Sequence, residues 1–168
     1  MQYRARLDGM AKAITIGVMA LSGGLIFVSF QTFFETRNQE GFLAAAFMVL
    51  VNVITYFSKP TAFSIDENEI VVHRPHGMFR TPMEKIVSIE RIPRASLGWG
   101  TRLFASGGFF GYLGIFYYGS IGRVTQYCTN RNEMLLVTTE KSKFIISPEN
   151  SETFLGEWKR LKSLIPDV

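Results

Sequence analysis

Residues 13–34, AITIGVMALSGGLIFVSFQTFF, and residues 41–58, GFLAAAFMVLVNVITYFS, contain no Asp, Glu, Lys or Arg. As helices rising ~1.5 Å per residue these runs reach roughly 33 and 27 Å. The hydrocarbon core of a bilayer is about 30 Å thick, so each run is long enough to span or nearly span it. Six residues, Glu35 to Glu40, lie between them. The reading is a transmembrane helical hairpin over 13–58, preceded by a short segment, 1–12, and followed by one domain, 59–168. The first run has no polar face, because Ile14, Val18, Leu21, Leu25, Phe27 and Phe30 point all round a helix. It is also longer than the apolar region of a signal peptide and lacks a small-residue cleavage site.

Charge divides the chain in the same way. Residues 13–58 carry three charged side chains, all in the connecting loop, whereas 59–168 carry 14 basic and 11 acidic ones. The mean hydropathy of +0.14 averages these unlike parts. A pI near 9.3 without a block of like charge does not support nucleic-acid binding, which needs cations clustered on one face with stacking aromatics. Arg4, Arg6 and Lys12 precede the first run, Lys59 follows the second, and Arg37 is the one cation between them. That bias places both termini in the cytoplasm. Ala20 and Gly24 are four apart, and Ala44, Ala45 and Ala46 lie in the second run. Small residues at such spacing join either the two helices of one hairpin or two protomers, so self-association through the helices stays open.

After Lys59-Pro60 the hydrophobic period changes from helical to alternating. Ala62 to Ile65 and Glu69 to Arg74 flank the polar turn Asp66-Glu67-Asn68. Short strands follow at Phe79-Arg80, Ile86 to Ile92, Gly122 to Cys128, Met134 to Thr139 and Lys143 to Ile146. Seven or eight short strands imply a small antiparallel barrel or sandwich. The chain closes on a helix, with Ser147 read as its N-cap and Pro148 as its first residue. Phe154, Trp158, Leu161 and Ile165 form its apolar stripe, which is read as capping the β-domain.

An apolar hairpin followed by Phe63-Ser64-Ile65, Glu69-Ile70-Val71-Val72, the segment Arg102 to Gly111 and Ile146-Ser147-Pro148-Glu149 resembles the membrane-anchored bacterial pleckstrin-homology-like (PH-like) domain proteins. The resemblance covers about residues 60–165. It implies an α+β membrane protein: the hairpin, then a PH-like antiparallel β-barrel of about seven strands capped by a C-terminal helix, without a shared catalytic centre. Phosphoinositide binding is not expected. Lipid-binding PH domains place cations in the first strand–strand loop, where this chain has Asp66, Glu67 and Glu69.

Leu103 to Gly122 holds twenty uncharged residues, six of them glycine. A third membrane span, a barrel corner filled by aromatic core, and a surface that meets the bilayer or a protein partner are all open readings. The surface version names Trp99, Arg102, Phe109, Phe110, Tyr112, Tyr117 and Tyr118, with Gly107, Gly108, Gly111 and Gly114 shaping the backbone. No catalytic set is expected. Cys128 with His73 or His76 would make a thiol–imidazole pair, but a mid-strand Cys is the ordinary small hydrophobe. His73 and His76 lack the further ligands a zinc site requires. No metal or cofactor is expected. The function expected is a non-catalytic, membrane-tethered interaction module facing the cytoplasm and binding an unknown protein partner or the membrane surface. The alternative is an enzyme or accessory subunit with a site between barrel and bilayer.

Overall fold

A computed structural model describes residues 1–36, 39–98 and 100–164. Strand β1 (Gln2–Arg4) leads into helices α1 (Gly9–Thr36) and α2 (Gln39–Ser58). Both are long and apolar enough to cross a membrane. They pack along each other, with Phe33 5.5 Å from Phe42. The rest of the chain covers little of them: α1 buries only Ala11 and Ser22, and α2 buries nothing. Ala20 and Gly24 are exposed on the outer face of α1, so that small-residue pair does not join the two helices. Most of the polar side chains inside the apolar runs turn back on their own helix. Thr32, Thr55 and Ser58 each donate to the carbonyl four residues earlier, at 2.8 to 2.9 Å, and Asn52 Nδ2 donates to Met48 O at 2.7 Å.

The strands that follow are β2 (Ala62–Ile65), β3 (Glu69–Arg74), β4 (Gly77–Pro82), β5 (Ile86–Arg91), β6 (Gly100–Gly108), β7 (Gly111–Tyr118), β8 (Gly122–Cys128), β9 (Leu135–Thr139) and β10 (Lys143–Ile146). A single-turn helix, α3 (Arg94–Leu97), precedes β6, and α4 (Ser151–Lys162) ends the domain. They form two sheets, ordered β1-β2-β3-β4 and β5-β9-β10-β8-β7-β6, which do not close into a barrel. The expected single antiparallel barrel of about seven strands is therefore corrected to two open sheets of ten strands among the described residues. One pairing is parallel, β10 against β8, in the register Phe144 with Thr125. Residues 129–134 step over one strand position between β8 and β9, and β10 fills the gap. The segment ahead of the hairpin also joins the domain: Arg4 pairs with Ala62 and Gln2 with Ser64.

Two cores result, because successive residues of a strand face opposite sides. Phe63, Ile65, Ile70, Val72, Val137, Phe144 and Ile146 meet between the sheets beneath Phe154 and Leu161 of α4. On the other face of the larger sheet, Tyr112, Phe116, Tyr118, Val124, Cys128, Leu136 and Ile145 pack under Leu97 and Ala11. Both faces of β9 and β10 are thus covered, which is why their sequences read as continuous apolar runs.

The last helix starts later than its sequence implies. Asn150, in the left-handed region at φ 62°, precedes Ser151. Ser147 is instead buried, and its Oγ accepts the N–H groups of Thr129 (2.7 Å) and Asn130 (3.1 Å). Its hydroxyl holds the loop that steps between strands, so it is not available to cap a helix. Phe154, Trp158 and Leu161 lie on the first core as expected, while Ile165 lies outside the described residues.

Candidate functional site

The glycine-rich stretch is a β-hairpin, β6 with β7, whose tip is seated on both helices. At the tip Gly108 faces Gly111 in register, with Phe109 and Phe110 between them. Phe110 N–H donates to Thr15 Oγ1 at 2.9 Å, and that hydroxyl lies 2.7 Å from Ala11 O and 3.3 Å from Gly108 O. The Phe110 ring packs edge-on against Tyr56 of α2 at 5.6 Å. Lys59 Nζ sits over both rings, 4.1 Å from Tyr56 and 5.3 Å from Phe110. Gly108, at φ 122°, also has Ile14 of α1 so close that a Cβ would lie 2.6 Å from its Cδ1. The tip therefore needs glycine both for its backbone angle and for its fit against α1.

The opposite margin of this hairpin is open. β6 is the last strand of the larger sheet, so one side of its backbone faces no neighbour among the described residues. A bulge between Arg102 and Phe104 leaves Leu103 out of register. Phe104 is 83% exposed, Leu103 58% and Tyr117 51%. Phe104 is paired with Ile115 and Thr101 with Tyr117, so these four residues share one face of the sheet. Residues 91–132, which include this margin, contain five arginines and no carboxylate, and of the five Arg91 pairs with Glu152.

The residues named from sequence divide into three groups. Tyr117 is on the exposed face, and Arg102 is exposed with its guanidinium laid over Gly107. Phe109 and Phe110 are half-buried, Phe110 on the helices and Phe109 against Phe110. Tyr112 and Tyr118, expected on the same surface, are 1% and 6% exposed and belong to the second core. Tyr118 OH accepts Gln126 Nε2 at 2.7 Å inside that core, and Phe116 stacks on it at 6.0 Å. Trp99 lies outside the described residues. Phe104 and Leu103 were not singled out by sequence. Their signal is that an edge strand is exposed on a face where a central strand would be buried, and edges follow from sheet order, which sequence alone did not supply.

Asp8 is the other residue that the sequence reading passed over. Its Oδ1 accepts Ala11 N–H at 2.7 Å as the N-cap of α1, and Oδ2 accepts Arg131 N–H at 3.1 Å. Tyr112 OH points at the same carboxylate from 3.4 Å. One side chain thus ties the start of α1 to β7 and to the loop before β9. An Asp directly ahead of a helical run is the ordinary cap signature.

Chemistry is sparse at these positions. No group of three His, Cys, Asp or Glu that could hold a metal ion is found among the described residues. His73 Nε2 is 2.8 Å from Ser64 Oγ in the smaller sheet, while Cys128 lies in the second core and donates to Asn130 O at 3.3 Å. Burial pushes the Cys128 thiol up from 9.0 to about 12. A raised folded-state value means stability that is whole below pH 9.0 and is lost as pH climbs toward about 12. The buried tyrosines, raised in the same direction from 10.0, add their own losses only above that value. Between pH 9 and 10 the unfolding free energy is therefore expected to fall by about 1 kcal/mol through Cys128 alone. Chemical denaturation of the wild type and of Cys128→Ala checks this. An equal slope in both would show that the thiol is not held in its neutral form.

No curated protein and no solved structure matches the chain. The family model described as Bacterial PH domain matches residues 61–162, from the first strand after the helices through the end of α4, and the chain accordingly belongs to the bacterial PH domain family.

Proposed function

We propose that this protein is a membrane-tethered, non-catalytic interaction module. Its helices cross the bacterial cytoplasmic membrane, and its PH domain takes an extended segment of a partner protein along the free edge of β6 on the cytoplasmic side. The exposed apolar margin formed by Leu103, Phe104 and Tyr117 beside an unpaired backbone edge carries this reading. An added strand gains main-chain hydrogen bonds from such an edge and specificity from alternate side chains. The excess of arginine over residues 91–132 favours a segment that combines apolar and acidic residues.

Three further observations support the reading. Beyond their contact with each other and with the β6–β7 tip the helices are largely uncovered, and their hydroxyls bond back to their own carbonyls, as groups in a solvent without hydrogen-bond partners must. The family is one of interaction domains. At the β2–β3 turn Asp66 Oδ1 already accepts the N–H groups of Asn68 and Glu69, both at 2.9 Å, so the backbone donors that a phosphate would use there are occupied. A catalytic role for Cys128 finds no support in a thiol held neutral within a core.

The test is recovery of co-purifying proteins from native membranes. Phe104→Asp with Tyr117→Asp is expected to cut partner recovery at least tenfold, as loss of an aromatic hot spot does. Val87→Asp, exposed on β5 at the other edge of the sheet, should leave it intact. Equal recovery from all three proteins would sink the reading.

A further inference from the structure

We infer that the end of the domain from which both helices emerge is a seat for anionic phospholipid headgroups, an inference that rests on the membrane reading above. The fold gathers this end from segments far apart in sequence. Thr61 N–H donates to His73 O at 2.8 Å, which brings the β3–β4 turn beside the exit of α2. Ala5 N–H donates to Thr61 O at 3.1 Å, and Asp8 N–H to Thr129 O at 3.0 Å, which adds the approach to α1 and the loop after β8. These segments carry five cations: Arg4, Lys12, Lys59, Arg74 and Arg131.

Their charge is only partly balanced within the chain. Among the described residues the ion pairs are Arg6 with Glu149, Arg80 with Glu69, Arg91 with Glu152 and Arg160 with Glu157, and none uses these five. Of the acids at this end, Glu149 pairs with Arg6, whereas Asp8 and Glu133 bond neutral N–H and hydroxyl donors, so the five cations outnumber the two carboxylates left to balance them. Three of the cations are held on aromatic faces. Lys59 lies over Tyr56, Arg74 over Tyr127 at 5.6 Å and Arg131 over Tyr112 at 3.7 Å. Stacking fixes a guanidinium through its face and leaves its N–H edge free, the geometry that takes a phosphate.

Depth selects the lipid as the source of that phosphate. Lys12 and Lys59 are the residues immediately outside the two uncharged runs, so the cations lie where the hydrocarbon ends and headgroups begin. A cation near an anionic leaflet is worth roughly a fivefold gain in affinity. The Phe110 tip, wedged between the helices beneath Lys59, holds the domain at that level.

The full chain is reconstituted into vesicles of equimolar phosphatidylcholine and phosphatidylglycerol and extracted with mild detergent. The phospholipid that stays with it is then quantified by mass spectrometry. Phosphatidylglycerol is expected to be enriched at least fivefold over phosphatidylcholine. The enrichment should shrink with added salt. It should also vanish in the triple variant Lys12→Gln, Lys59→Gln, Arg74→Gln. Retained lipid at the input ratio in the wild type overturns the inference while leaving the tether intact. A chain that stays in solution and never enters the vesicles overturns the tether, and the inference with it.

Discussion

Replacing Gly114 with alanine is expected to lower the melting temperature of the domain by roughly 10 °C. Gly114 sits in the middle of β7 at φ 117°, where an L-residue is strained by about 1–3 kcal/mol. Its new Cβ would overlap the Phe104 carbonyl oxygen and lie 2.6 Å from Ala105 Cα. These are backbone atoms of the neighbouring strand, so no rotamer change relieves them. Relief requires β6 to move away from β7, at a further cost of about 1–3 kcal/mol. Gly119→Ala is the matched control, because its Cβ meets nothing within 4 Å. It should change the melting temperature by no more than about 2 °C. Equal melting temperatures for the two variants would mean that β6 and β7 do not approach as described. The same movement would displace Phe104, paired one step along at Ile115, so partner recovery should fall with Gly114→Ala as well.

Much of this architecture is legible in the sequence, and what is not has an identifiable physical cause. The apolar runs, the strands on either side of Asp66-Glu67-Asn68 and the stripe Phe154, Trp158, Leu161 are all local patterns, and each appears as an element where expected. Pairing between segments distant in sequence is not local. Nothing in Gln2-Tyr3-Arg4 announces a strand, because three residues cannot establish a period and the partner, Ala62 to Ser64, lies beyond both helices. Likewise β8 and β9 are consecutive and the default is that they pair, yet β10 lies between them. Ser147 carries the composition of a helix cap, but its hydroxyl is claimed by Thr129 and Asn130 across the fold. The same limit governs the candidate surface. Tyr112, Tyr117 and Tyr118 look alike in sequence, and their fate turns on strand parity: Tyr117 faces out, while Tyr118 and Tyr112 face the second core.

Replacing Asp8 with alanine is expected to loosen the joint between the helices and the domain, at a cost of about 3 kcal/mol. Loss of the N-cap bond to Ala11 accounts for about 1 kcal/mol. The carboxylate's charge-assisted bond with Arg131 N–H contributes a further ~1.5–3 kcal/mol, because the donor is left part-buried without an acceptor. Asp8→Asn keeps the capping oxygen and loses the charge, so it should recover about half of the deficit. The joint has a second fastening, in which Thr15 holds the backbone at Gly108 and Phe110. Asp8→Ala alone is therefore expected to raise hydrogen exchange at residues 128–134 and at the first turn of α1, while the strand amides of β9 and β10 keep their protection. Adding Thr15→Val should release the Phe110 tip as well, with a cost greater than the sum of the two single changes, since each fastening limits what the other's loss can open. Strict additivity, or exchange spreading evenly through β9 and β10, would mean that the helices and the domain are not coupled through these two contacts. Were the joint as stiff as the contacts imply, a pull or tilt of the helices would reach β7 and the β6 edge directly, through Asp8 on one side of the hairpin and Thr15 on the other.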